Sequence, residues 1–235
     1  MLQNYLADSI RLFKNHYFGI AMIILPIFIP IEIFDAYYSK YVLVEGAEMV
    51  AYLPPMLVGL LAYPIYTAAV IFYIASVLTG DIIDVKTSWQ FGVKYWKPLI
   101  LLTIMVGFMI MLGFILLVVP AIILTIRYAF AEFELLFNKR DPLEAMRTSW
   151  EATRQYFWIL LGGFVVITIV LYSPYYLLVI MLEQREMALG LLENFLNVIY
   201  AVLSVIYTIF AFRIYHVAQD QQQTKLDAKP DNGEV

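Results

Sequence analysis

The sequence predicts an all-α integral membrane protein: six transmembrane helices as three hairpins, preceded by cytoplasmic interfacial amphipathic helices, with both termini cytoplasmic. Three observations predict it. Of 235 residues, 63% are hydrophobic and 14% charged, and the mean hydropathy is +0.79. A soluble domain carries about a quarter charged residues, and a core of this size could not hide so much apolar surface. Second, the apolar residues fall in long runs at 17–34, 52–78, 99–137, 157–182 and 195–217. Third, basic residues are distributed unevenly between the segments joining these runs. There is no cysteine, so disulfides and thiolate metal sites are excluded.

The run at 17–34 is long enough for a first span, since about 20 helical residues cross the hydrocarbon core. The bulky DAYYSK that follows offers no small-residue cleavage site, so it reads as a span and not as a removed signal. Pro26 and Pro30 within it predict a kink. The second span is 52–78, with Pro54, Pro55 and Pro64. The third run, 99–137, is nearly twice the length one span requires. Pro120 near its middle removes a backbone donor and disfavours helix just before it. Two helices joined by a tight apolar turn at 117–120 are therefore expected, giving the third and fourth spans. The runs at 157–182, containing Pro174, and 195–217 supply the fifth and sixth. Gly107, Gly113, Gly162 and Gly163 permit close helix approach.

Charge supports this count. Six spans place Arg11, Lys14, Lys86, Lys94, Lys97, Lys139, Arg140, Arg147, Arg154, Arg213, Lys225 and Lys229 on one side. Only Lys40 and Arg185 fall on the other, among Asp35, Glu45, Glu48, Glu183, Glu186 and Glu193. Positive residues mark the cytoplasmic face, and five spans would scatter the asymmetry.

Two cytoplasmic segments are nearly the same text: TSWQFGVKYWKPLILL at 87–102 and TSWEATRQYFWILLGG at 148–163. Ile82, Val85, Trp89 and Trp96 match Leu143, Met146, Trp150 and Phe157 at one offset, on one helical face. Lys86 matches Arg147, while Lys94 and Arg154 add charge. Such helices lie along the interface, aromatic rings at headgroup depth and basic groups toward anionic lipid. A weaker third copy aligns Leu6, Ser9, Ile10 and Tyr17 with Val85, Ser88, Trp89 and Trp96. The reading is one membrane domain, 1–217, of three pseudo-repeats, 1–78, 79–137 and 138–217, related by an axis along the membrane normal. Ordinary aromatic anchoring is the competing explanation for the third copy. Asp84 and, before Pro142, Asp141 read as helix N-caps. The polar tail, 218–235, is expected to be disordered.

The stretch LGFILLVVPAIILTIRYAFAEFELLFNKRDPLEAMRTSWEATRQYFWILLGG at 112–163 resembles a bacterial membrane module. It has an apolar hairpin with a central proline, then an arginine, then a D-P-L-E-A-M-R-x-S-W-like helix. It is similar to the YciC-type inner-membrane proteins and to the membrane region attached to some glycerophosphodiester phosphodiesterases. The resemblance implies a bacterial inner-membrane location more than a chemistry. Where the module is fused to a phosphodiesterase, a separate soluble domain acts, and this chain has no room for one.

Charges within spans are the first place to seek function. Arg127 is expected about midway along the fourth span, Glu132 and Glu134 nearer the cytoplasm, and Glu32 toward the outer end of the first. Two readings stand side by side. Arg127 faces a cavity and binds an anionic group, the carboxylates balancing it; or Arg127 pairs internally and fixes helix packing. His16 and His216, both at cytoplasmic ends, read as interfacial anchors. No metal or cofactor is expected, and no nucleotide, nucleophile-elbow or zinc motif is present in the sequence. Membrane lipids, anionic ones included, are the expected partners; nucleic acid is not. The function expected is non-enzymatic, in envelope or membrane-lipid homeostasis, with a transporter or lipid-translocating protein centred on Arg127 as the alternative.

Overall fold

The computed structural model describes residues 2–42, 48–183 and 189–227, and among them all regular structure is helical. In chain order the helices are α1 (Leu2–Tyr41), α2 (Leu53–Thr79, entered through a 3-10 turn at Met49–Tyr52), α3 (Val85–Lys94), α4 (Trp96–Leu116) and α5 (Val118–Arg127). There follow α6 (Ala131–Phe137), α7 (Pro142–Ala152), α8 (Phe157–Glu183), α9 (Leu189–Leu203) and α10 (Val205–Asp227). Five stretches among the described residues are long and apolar enough to cross a membrane: Leu2–Tyr41, Met49–Thr79, Trp96–Leu116, Phe157–Leu178 and Asn194–Gln221.

The segment expected to form one continuous fourth span is instead two short helices, α5 and α6, separated at Tyr128–Phe130. The expected turn before it is present and is tighter than predicted. Leu117 alone is extended between α4 and α5, and Pro120 falls in the first turn of α5, where no helical N–H is needed. The two helices close on each other at Gly113, where a Cβ would lie 2.9 Å from the Ala121 backbone. Gly163 packs on the Phe210 ring, whereas Gly107 faces open space. Pro26 and Pro30 lie inside α1, Pro64 inside α2 and Pro174 inside α8. Trp96 Nε1 donates to the Leu61 carbonyl at 2.8 Å, beside the backbone that Pro64 deprives of a donor.

The two strong copies of the repeated segment form α3 and α7, each opened by the expected aspartate. Asp84 accepts from Thr87 N at 3.1 Å, and Asp141 from Glu144 N at 2.9 Å with Pro142 next. Hydrogen bonding to Thr87 holds the Asp84 carboxyl below the ordinary aspartate range. The N-terminal copy differs: it runs without a break into the first span, so α1 is one helix of 40 residues. Nothing between Ser9 and Pro26 interrupts helical hydrogen bonding, whereas Tyr95 ends α3 and the turn at 153–156 follows α7.

Buried positions gather at one end of the bundle. They run from Ser9 to Ile24 in α1 and from Pro64 to Ser76 in α2, with Leu99 and Leu102 of α4 and much of α6 and α10. The opposite ends expose large apolar side chains, among them Ile33, Met56, Ile115 and Leu116. At the packed end, Arg213 of α10 meets Asp8 of α1 at 2.7 Å. The tail expected to be disordered from residue 218 instead continues α10 to Asp227. Two of its glutamines find partners: Gln219 donates to Glu134, and Gln221 accepts from Tyr156. Residues 228–235 lie outside the described residues.

Candidate functional site

Of the polar groups singled out from the sequence, Arg127, Glu132 and Glu134 flank the break between α5 and α6, and Glu32 lies apart from it. Arg127 is the last residue of α5, at the turn, not midway along an unbroken helix. Its guanidinium lies against the segment that includes α7 and the start of α8: Nη1 donates to the Trp150 carbonyl at 3.3 Å. The group also sits 5.2 Å from the centre of the Trp150 ring and 5.4 Å from that of Phe157. Trp150 is within the last turn of α7, whose final carbonyls lack helical partners and favour a cation. No carboxylate pairs with Arg127 among the described residues, and its Nε is buried without a hydrogen bond.

Ser149 closes the break. Its hydroxyl donates to the Arg127 carbonyl at 2.8 Å and accepts from Phe130 N at 3.1 Å; the Thr153 hydroxyl lies 3.2 Å from the same carbonyl but has its nearer acceptor in Ser149 O at 2.8 Å. One hydroxyl can give one proton and take others, so a single serine satisfies both a carbonyl and an N–H released by the turn. Away from water such groups are costly to leave unpaired.

The three carboxylates go elsewhere. Glu132 accepts from the Tyr63 hydroxyl at 2.8 Å. Glu134, almost wholly buried, receives Asn138 Nδ2 at 2.7 Å and Gln219 Nε2 at 3.1 Å, with Arg140 Nε 3.1 Å away in an ion pair of poor hydrogen-bond alignment. Arg140 also reaches Glu144 at 2.7 Å and Thr148 at 2.9 Å. Glu32 is in neither group: it lines an apolar groove between α1 and α9 with Lys14 at one end. The arrangement expected around Arg127, with Glu132, Glu134 and Glu32 as its counter-charges, is therefore not assembled. His16 contacts the Tyr73 ring and His216 meets Asp220 at 3.1 Å; the two do not pair.

The repeated helices show which face carries the repeat. Ser9, Ser88 and Ser149, aligned in the three copies, are all fully buried. Next along that face come Phe13, Gly92 and Thr153, also buried. The opposite edge is open: Ile10, Ile82, Leu143 and Trp150 are exposed, as are Lys86, Arg147 and Arg154, while Trp89 and Trp96 are half-buried. Of the apolar stripe read from the sequence, Ile82, Leu143 and Trp150 are thus on the outer edge, Val85, Trp89, Trp96 and Phe157 are half-buried and Met146 is buried, while a small-residue face makes the inner contact. Sequence reasoning passed over Ser149, Thr153 and Tyr63. A serine at the same place in all three copies was a usable signal; Tyr63 offered none. No protein-family model matches this sequence, and no curated protein and no solved structure is similar to it.

Proposed function

We propose that this is a multi-pass bacterial inner-membrane protein, YciC-like, acting without chemistry of its own in envelope or membrane-lipid homeostasis. In this reading α5 and α6 together make the fourth of six spans, paired as three hairpins, with both termini cytoplasmic. The protein acts by holding lipids, anionic ones included, at its interfacial helices. The observation that supports it is the open outer edge of α3 and α7, where exposed apolar and aromatic residues run beside exposed Lys86, Arg147 and Arg154. Arg127 serves the fold by bonding to α7.

A second reading, a transporter or lipid-translocating protein with an anionic-group site near Arg127, draws on a cavity of about 380 Å³ whose lining includes Tyr128, Arg147, Glu151 and Trp150, the residue whose carbonyl Arg127 contacts from outside that lining. Native mass spectrometry of gently extracted protein separates the two. The triple variant Lys86→Gln, Arg147→Gln, Arg154→Gln is expected to lose co-purifying anionic phospholipid while still folded, and Arg127→Ala to lower the melting temperature. Lipid lost from a fully folded Arg127→Ala, and kept by the triple variant, would replace the first reading with the second.

A further inference from the structure

Beside the break lies a second cavity, of about 320 Å³, walled by α2, α4, α5, α6 and α8. Glu132 is the one charged residue in its lining. We propose that this cavity binds a small organic ammonium group, with Glu132 as its counter-charge. This goes beyond the reading above, which concerns anionic lipid on the outer edge, and does not rest on it.

The donor and acceptor balance of the wall carries the argument. A hydroxyl has one proton to give. Tyr63 gives its proton to Glu132 Oε1 at 2.8 Å, Thr103 to the Leu99 carbonyl at 2.9 Å and Thr125 to the Ala121 carbonyl at 2.9 Å. What these groups have left is acceptor lone pairs, set around a half-buried carboxylate. No lysine, arginine or histidine lines the space, and Glu132 has no ion-pair partner among the described residues. Only the Tyr128 hydroxyl keeps an ungiven proton among the lining side chains, so an anion would find a single donor beside a carboxylate. A carboxylate away from water requires a cation or hydrogen-bond donors. An ammonium supplies both the charge and several N–H groups. Tyr128 and Phe164, whose ring type attracts a cation, also line the space, and Leu102 and Val106 accept a carbon skeleton. The volume is at the small end of the roughly 300–1,000 Å³ typical of ligand pockets. The same chemistry is carried by a free amine and by an aminophospholipid headgroup.

The full chain in an uncharged maltoside detergent is titrated with hexylammonium chloride, and in parallel with sodium hexanoate and hexanol. Calorimetry is expected to show saturable binding of hexylammonium alone. Glu132→Gln should weaken it by at least about tenfold. Gly107→Leu should do the same by filling the space, because a Cβ there meets nothing within 4 Å and the helix is undisturbed. In parallel, a hydrophobic carbodiimide should label Glu132, located by peptide mass spectrometry, and hexylammonium should slow that labelling. This readout remains decisive if Glu132→Gln fails to fold. Absence of saturable binding, equal binding of hexanoate, or hexylammonium binding unchanged in Gly107→Leu would overturn the proposal. Two outcomes support it and separate the sources. Weaker hexylammonium binding in phosphatidylethanolamine nanodiscs than in phosphatidylglycerol ones indicates the lipid headgroup; displacement by free ethanolamine in detergent indicates the soluble amine.

Discussion

Ser149 and Ser88 occupy matching places in the repeat, are equally buried, and do different work. Ser88 returns its hydroxyl to Asp84 O in its own helix at 3.0 Å, a bond whose loss leaves no orphaned N–H. Ser149 bridges two backbone groups of the α5–α6 turn. Ser149→Ala is therefore expected to cost about 1–3 kcal/mol, since both groups lose a partner away from water. Ser88→Ala is expected to stay within about 0.5 kcal/mol. Thermal melting of the two variants in the same detergent checks this, and equal effects would mean that the turn is satisfied in some other way.

At the scale of helices, small residues decide where the repeated segments dock. Gly92 of α3 lies so close to the Ile65 carbonyl of α2 that an added Cβ would overlap it. The obstacle is backbone, which cannot swing aside as a side chain can. Gly92→Val is expected to destabilise by about 1–3 kcal/mol through overpacking. Gly107→Ala, facing open space in α4, should be neutral or stabilising by up to about 1 kcal/mol through helix propensity. A melting comparison in which Gly92→Val is harmless would show that α3 is free to lift from α2. The break between α5 and α6 follows the same logic: the two helices can separate because α7 supplies the Ser149 hydroxyl and the Trp150 carbonyl that the break needs.

For the whole molecule, the Asp8–Arg213 ion pair joins the N-terminal part of α1 to the middle of α10 at one end of the bundle. With six spans that end is cytoplasmic. The chain has no cysteine, so single cysteines report topology without a background. In intact spheroplasts a membrane-impermeant maleimide is expected to label Lys40→Cys and to spare Lys86→Cys and Lys225→Cys until the cells are lysed. Labelling of the Lys225 site before lysis would mean an odd number of crossings, with α5 and α6 not together traversing the bilayer.

The sequence by itself determined the class of fold and most helix positions. Apolar runs of the required length, the proline-marked turn at Leu117 and the aspartate caps of α3 and α7 act through local chemistry. Such features need no distant neighbour to take effect. The repeat was also legible, although its inner face was not. Hydropathy ranks Trp150 above Ser149, and in lipid an exposed tryptophan carries no penalty that would force it inside. Tertiary structure alone decided the rest. The break at Tyr128–Phe130 depends on a hydroxyl 19 residues further along the chain, and the Tyr63–Glu132 bond joins residues 69 apart. The docking of Gln219 of α10 requires the buried carboxylate of Glu134 in α6. Backbone groups without water take whichever partner the fold brings near, and that choice is written in no single segment.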